Sequence, residues 1–149
     1  MQPAPSGAGC SIFLLIDLGR ARAFLQHHRH GVLATIRRDG RPQLSNILYV
    51  LDDDGRIKIS VTQTRAKTKN LRRDPRASLH VQGHNAYEYL VVDGVVQLIE
   101  GDGLAEKLRH YYRRARGEHP DWAEYDAAMI SEQRLLISMS IDRAYGQIP

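Results

Sequence analysis

The segment RIKISVT (56–62) alternates apolar and polar residues, and this alternation restricts what the chain can fold into. Ile57, Ile59 and Val61 fall on one side of an extended chain, with a polar residue after each, which is the pattern of a β-strand. Similar β-rich segments recur at a spacing of roughly ten residues and predict five or six short antiparallel strands. They are VLATIRR (32–38), PQLSNILYVLD (42–52), ASLHVQ (77–82), AYEYLVVDGVVQLIEG (86–101) and RLLISMSIDRAYG (134–146).

Turn signals separate the predicted strands. Asp39-Gly40 is a residue pair that favours a tight β-hairpin, and DDDG (52–55) marks a second turn, while Asp93-Gly94 is expected to be a bulge or turn. Several strands carry apolar residues on both faces, as in LVV (90–92), which favours a closed or nearly closed barrel over an open sheet with one wet face. The sequence predicts a mainly β fold with α-helices, a six-stranded antiparallel barrel with flanking helices.

Helical periodicity appears between these strands. Leu18, Ala21 and Leu25 recur at helical spacing. The later helices carry apolar stripes that include Leu104 and Trp122, and a single small barrel is not expected to cover them. These stripes therefore predict a homodimer. Asp121 is expected to cap the last helix. The predicted helices are 17–28, 65–73, 104–115 and 119–130.

Length and composition restrict the class of protein. The chain has 149 residues, enough for one domain, which we assign to residues 16–149, and residues 1–15 have the composition of a disordered tail. The single cysteine, Cys10, excludes an internal disulfide and fits a reducing compartment, so a cytoplasmic location is expected. No segment has the roughly 18 consecutive apolar residues of a membrane span. The net charge of +4 favours anionic ligands without requiring nucleic acid.

The stretch TQTRAKTKNLRRDPRAS (62–78) contains the densest cluster of charge in the chain. Thr64 is a suitable N-cap, and Pro75 ends any helix by the preceding residue. The stretch therefore predicts a short helix over 65–73 that directly follows the strand 56–62.

The basic residues of this helix are not equivalent. On a helical wheel Lys67 lies on the side of Leu71, which should dock on the barrel, whereas Lys69 faces water. The first backbone N–H groups, at Arg65, Ala66 and Lys67, have no helical acceptor and could bind an anion. From this stretch alone, a phosphate site and a merely solvated, charged helix remain equally good interpretations.

Polar residues interrupt the predicted strand at PQLSN (42–46). Gln43, Ser45 and Asn46 would point into a groove or toward neighbouring strands, and a ligand could satisfy them if they are buried. The sequence contains no evident Ser-His-Asp set and no His/Cys cluster with metal-ligand spacing. No aromatic residue interleaves the basic run, which argues against a nucleic-acid binder.

Three stretches together carry a family resemblance: GVLATIRRDGRPQLSN (31–46), SVTQTRAKTKNLRRDPRAS (60–78) and EYLVVDGVVQL (88–98). With them the chain resembles the flavin and deazaflavin oxidoreductases of the pyridoxamine 5'-phosphate oxidase-like split β-barrel fold. It is most similar to the actinobacterial branch that uses the deazaflavin coenzyme F420. The resemblance extends from about residue 20 to the C-terminus.

The resemblance implies a homodimer with cofactor sites at the subunit interface and a small-molecule substrate. It implies that Arg65 and Lys67 hold the cofactor phosphate, that Asn70 supports the phosphate end, and that Ser60 and Val61 lie along the ring system. The other implied cofactor-binding residues are Gln43, Leu44, Ser45, Asn46, Thr64, Ala66, Tyr87 and Tyr89.

The expected function is hydride transfer from reduced F420 to a small conjugated acceptor. An FMN-dependent oxidase of the pyridoxamine-phosphate type and a deazaflavin carrier without turnover are the alternatives. Lys69, Arg72 and Arg73 are left on the outer side of the helix, where they could attract the oligoglutamate tail of F420. The proton donor stays open among His84, His119, Tyr87 and Tyr89.

Overall fold

The computed structural model describes residues 15–149. Cys10 and the predicted tail, apart from Leu15, lie outside the described residues. The helices are α1 (Leu18–Gln26), α2 (Ala66–Arg73), α3 (Leu104–Arg116) and α4 (Trp122–Ser131). The strands are β1 (His30–Ile36), β2 (Pro42–Leu48), β3 (Val50–Leu51), β4 (Ile57–Thr62), β5 (Arg76–Gln82), β6 (Tyr89–Ile99), β7 (Arg134–Met139) and β8 (Arg143–Gln147).

The strands form one curled antiparallel sheet in the order β2-β1-β5-β6-β7-β4-β3, and β8 pairs with β6 off this path. Leu33, Leu79 and Ile137 are fully buried inside the curl. Strand β3 pairs only with Ile57 and Lys58 of β4, so the rest of β4 approaches β2 without a ladder between them. This unpaired line between β2 and β4 is called the seam below, and it makes the barrel a split one. The predicted fold class, mainly β with flanking helices, is confirmed.

The described chain has eight strands where the sequence predicted six. The predicted strand 42–52 breaks at Tyr49, whose amide donates to the Arg29 carbonyl (2.8 Å) and whose hydroxyl donates to the Leu25 carbonyl (2.8 Å). The last predicted strand breaks between Met139 and Arg143, because β7 and β8 pair with successive parts of β6.

Gly94 lies within a continuous strand β6 and is not a turn. A Cβ atom added to Gly94 would stand 1.8 Å from the Ser140 carbonyl oxygen. Glycine is therefore needed here because the backbone between β7 and β8 approaches closely.

The N-terminus of α2 differs from the prediction. Arg65, and not Thr64, is the N-cap residue, and it makes no side-chain capping bond. The Arg65 amide donates to the Thr62 carbonyl (3.1 Å), so a tight turn shifts the start of the helix by one residue. Asp121 caps α4 as predicted, accepting a hydrogen bond from the Glu124 amide (3.1 Å).

The apolar stripes of α3 and α4 are covered within the chain. Leu108, Tyr111 and Tyr125 are buried against Leu136 of β7, with Leu104, Trp122 and Met129 packed around them. The argument from these stripes to a dimer was therefore wrong, because the helices fold back onto their own sheet. None of the helices within residues 15–149 is long and apolar enough to cross a membrane.

Lys58 is buried, although the alternation placed it on the wet side of β4. Its ammonium contacts Asp52 (3.1 Å) and Asp54 (2.7 Å), and His110 Nε2 lies 2.9 Å from Asp52 Oδ1. Burial opposes ionisation of Asp52, but the hydrogen bonds with His110, the Asp53 backbone and Lys58 outweigh it and lower its pKa to about 2. This network ties the turn after β3 to the sheet and to α3.

We predict that Asp52 contributes to the loss of stability in acid. The pKa of Asp52 in the folded protein lies below its ordinary value of 3.8. The contribution of Asp52 to the free energy of unfolding is therefore complete at pH values above 3.8 and is lost as the pH falls toward 2. The contribution is about 2 kcal/mol at most. Asp52→Asn should flatten the decline of the unfolding free energy between pH 5 and pH 2.5, measured by urea titration. Asp53→Asn is the control, since that carboxylate is exposed; equal pH profiles for wild type and Asp52→Asn would contradict the prediction.

Candidate functional site

A cleft of about 610 Å³ follows the seam between β2 and β4. Residues 45–48 of β2 line one side and residues 60–62 of β4 line the other. The start of α2, one face each of α3 and α4, and the first residue of β7 supply the rest of the lining. The site thus lies where the sheet fails to close, and backbone groups of β4 beyond Lys58 have no strand partner on that edge.

Four cations line this cleft: Arg65, Lys67, Arg116 and Arg134. Within residues 15–149 no carboxylate lines it, and only Arg134 has an ion-pair partner, Glu132, with Nε–Oε2 at 3.2 Å. Burial lowers the pKa of the half-buried Lys67 ammonium, and the charges of Arg65 and Arg134 lower it further. An anion in the cleft would relieve this repulsion, so the electrostatics favour an anionic ligand.

Helix α2 is held against the barrel by buried polar contacts. The Thr68 hydroxyl donates to the Thr62 carbonyl (2.8 Å), and Leu71 enters the core. The Asn70 amide donates to Thr35 Oγ1 (3.2 Å) and Gln43 Oε1 (3.0 Å). These contacts fix the rotation of the helix, and Lys67 is half-buried while Lys69 is exposed, as the helical wheel predicted.

The first turn of α2 offers backbone donors near the cations. The amides of Ala66 and Lys67 make no backbone hydrogen bond within the described residues. The Arg65 amide, which was expected to be free as well, is occupied by Thr62. Ala66 is small and exposed, so an anion can approach the two free amides closely.

The Ser45 hydroxyl is a second feature that suits a polar ligand. Its oxygen is buried and has no hydrogen-bond partner within residues 15–149, and Ser45 lines the cleft. Buried hydroxyls are normally satisfied, because an unmet hydrogen bond costs roughly 1–3 kcal/mol. A polar ligand group in the cleft would satisfy it.

An aromatic wall from α3 and α4 completes the cleft, and the sequence did not predict it. Tyr111, Tyr112, Tyr125 and Met129 line this side. Tyr111 donates to the Leu48 carbonyl (2.8 Å), which joins α3 to β2 across the cleft. The helical spacing of Tyr112 and Arg116 was the available signal, since residues four apart share one helix face.

The structure brings together part of the predicted site. Ser45, Asn46, Ser60, Val61, Arg65 and Lys67 line the same cleft. Gln43 and Asn70 lie behind it and bond to each other. Leu44 alternates to the outer face of β2, where it is 63% exposed, and the side chains of Thr64 and Ala66 adjoin the cleft without lining it.

The two predicted tyrosines stand apart from the cleft of their own chain. Tyr87 is 79% exposed in the loop before β6, and Tyr89 stacks on His80 with ring centroids 5.5 Å apart. The histidines considered as proton donors are also elsewhere. His84 lies near His28 (6.0 Å between ring centroids). His119 contacts Tyr112 (5.0 Å between ring centroids) but does not itself line the cleft.

The basic residues left over on α2 have other partners. Arg72 pairs with Glu100, and Arg73 donates to the Asn70 side chain and to the Ile36 carbonyl, both at 3.0 Å. Of these three residues, only Lys69 makes neither a side-chain hydrogen bond nor an ion pair within the described chain. The expectation that all three are free to attract an anionic tail is therefore wrong for Arg72 and Arg73.

Known proteins share this fold and much of this sequence pattern. The family model described as pyridoxamine 5'-phosphate oxidase matches residues 19–147. An F420 reductase of known structure is 25% identical over 85% of this chain and 96% of its own, with a TM-score of 0.66. A conserved hypothetical protein of Mycobacterium tuberculosis is 24% identical over 91% of this chain and 88% of its own, with a TM-score of 0.70. A heme-binding protein of Mycobacterium smegmatis is 22% identical over 85% of this chain and 52% of its own, with a TM-score of 0.66.

Proposed function

This chain belongs to the pyridoxamine 5'-phosphate oxidase family, and within it we propose that the protein is an F420-dependent oxidoreductase. It would transfer a hydride from the reduced deazaflavin to a small conjugated acceptor. The likeness to an F420 reductase at 25% identity supports the choice of cofactor.

The observation that carries the proposal is the unpaired Lys67 ammonium at the start of α2. It lies in a cleft without carboxylates, between the charges of Arg65 and Arg134 and beside the free amides of Ala66 and Lys67. Cations and helix N-terminal amides together are the usual donors to a phosphate group. These residues therefore fit the phosphate that both F420 and FMN carry.

A bound deazaflavin supplies a hydride from a ring carbon, and the protein positions it and excludes water. Arg65 and Lys67 would hold the phosphate, while Asn70 fixes the helix that carries them. Ser60 and Val61 would lie along the ring system, on the edge of β4 that has no strand partner within the described chain. Ser45 and Asn46 would contact the same ligand from β2, which would give the orphaned Ser45 hydroxyl a partner.

We further propose that the protein is a homodimer with the cleft at the interface. Asn46, Arg65 and Arg116 are exposed on the open side of the cleft, and a second subunit would exclude water there. Leu44 is 63% and Val95 is 46% exposed, and both lie on the outer face of the sheet, where a partner could cover them. Tyr87 and Tyr89 would then reach the cofactor from the partner subunit.

Light scattering after size exclusion should give twice the mass of the chain at micromolar concentration. Leu44→Glu should shift the protein toward monomer, because burying an unpaired charge in an interface is costly. Ile130→Glu is the matched control, since Ile130 is 79% exposed on α4 and does not line the cleft. A monomeric wild-type protein would contradict the proposal that the cleft lies at a subunit interface.

Arg65, Lys67 and the free amides of Ala66 and Lys67 form the proposed phosphate site, which is called the cradle below. Two lysine variants on the same helix test it. Lys67→Ala should weaken cofactor binding by about 1.5–3 kcal/mol, because it removes a charge-assisted hydrogen bond. Lys69→Ala removes the same charge from an exposed position and should cost well under about 1 kcal/mol. Fluorescence titration with F420 measures both. Equal losses would mean that the phosphate does not bind on the Lys67 side of α2.

An FMN-dependent oxidase is the alternative, favoured by the family model. The same titration with FMN separates the two functions by the relative affinity of the two ligands. Both ligands offer a phosphate to the cradle, so the cradle alone does not distinguish them. F420 should bind more tightly than FMN to the wild-type protein. Tighter binding of FMN would contradict the F420 proposal and favour the FMN-dependent oxidase. If F420 binds but acceptors leave its reduced form unoxidised, the protein is a carrier, which would agree with a cleft that lacks histidine and carboxylate side chains within the described chain.

A further inference from the structure

The cleft holds more cations than one phosphate requires. Arg65 and Lys67 belong to the α2 cradle, whereas Arg116 ends α3 and Arg134 begins β7. Arg116 forms no ion pair or side-chain hydrogen bond within residues 15–149. Arg134 uses only its Nε, toward Glu132, which leaves its terminal guanidinium nitrogens available.

Arg116 and Arg134 converge on one aromatic surface. Both arginines line the cleft together with Tyr111 and Tyr112. Burial raises the pKa of the Tyr111 phenol, while a hydrogen bond with the Ser60 backbone and the charges of Arg116 and Arg134 act against that rise. Tyr112 lines the same surface, and its ring is held edge-on by Tyr125 at 5.0 Å between centroids. Two guanidinium groups therefore share this cleft with a set of aromatic side chains.

We propose that Arg116 and Arg134 form a second anion subsite in this cleft, which binds a carboxylate attached to a conjugated or apolar group. Two arginines and Glu132 together carry one net positive charge, which matches a monoanionic carboxylate better than a phosphate dianion. The planar guanidinium fork also fits carboxylate geometry. The inference rests on the proposed function in that it names a further ligand group, a carboxylate, that the same cleft would bind.

Two sources could bring this carboxylate. One source is a separate acceptor that lies against Tyr111 and Tyr112, and the other is the glutamate tail of the cofactor itself. The shared chemistry is a carboxylate between two guanidinium groups, and competition with different forms of the cofactor separates the sources.

The test compares benzoate with its neutral isostere benzamide on the purified full-length chain, followed by protein-observed NMR. Wild type should bind benzoate about tenfold more tightly than benzamide, the value of one charge-assisted contact. Arg116→Gln should abolish this preference. Lys107→Gln, which removes a charge from the same helix outside the cleft, should keep it.

A Lys67→Ala variant distinguishes the second subsite from the phosphate cradle. The benzoate preference should persist in Lys67→Ala, whereas cofactor binding should weaken, so either proposal can fail without the other. If Lys67→Ala abolishes the preference and Arg116→Gln keeps it, benzoate occupies the cradle and the subsite does not exist. Equal binding of benzoate and benzamide by wild type would also overturn the proposal.

Competition then assigns the source. Displacement of benzoate by F420 but not by F420 without its glutamates means that the tail occupies the subsite. Retention of benzoate in the presence of both forms means that the subsite serves a separate acceptor. Either result requires Arg116 and supports the subsite.

Discussion

The buried amide of Asn70 is the contact on which the site depends. It donates to Thr35 on β1 and to Gln43 on β2 and accepts from Arg73 of its own helix, so α2 is fastened to two strands at once. All polar atoms of this amide are satisfied, and breaking one such buried contact costs roughly 1–3 kcal/mol. The rotation of α2 that follows places Lys67 toward the seam. Without this anchor the helix would be only a charged, solvated segment.

The seam supplies the other half of the arrangement. Because β3 is so short, most of β4 faces β2 without a ladder, and the barrel stays open along one line. Tyr111 joins the two sides by donating to Leu48 from α3, so the opening keeps its width without closing. An edge of β4 without a strand partner, an orphaned Ser45 hydroxyl and the unpaired cations Arg65, Lys67 and Arg116 then meet in one cleft within the described chain. Each is unfavourable alone, and a polar anionic ligand would satisfy all three.

Local patterns in the sequence were sufficient for the strands and for the orientation of α2. Alternation in 56–62 identified β4, and the spacing of Lys67 and Leu71 gave the inward lysine, because both properties depend on a few adjacent residues. Neither the break at Tyr49 nor the burial of Lys58 could be predicted, since distant residues such as Leu25 and Ser138 determine them. For the same reason, the sequence could not predict that the aromatic wall and Arg134 line the cleft. They reach it only after long-range strand pairing. The resemblance identified the family correctly, and the roles it implies for single residues stay proposals.

The central claim is that the first turn of α2 binds the cofactor phosphate, and amide NMR tests it most directly. In ¹H–¹⁵N spectra of the purified protein, saturating F420 should move the Ala66 and Lys67 amide signals strongly downfield, as expected for hydrogen bonds to a phosphate. FMN should move the same two signals if it binds at all, because the phosphate contact is common to both ligands. Unchanged Ala66 and Lys67 amides under conditions where the ligand shifts signals elsewhere, such as those of Arg76 and Arg143, would contradict the account.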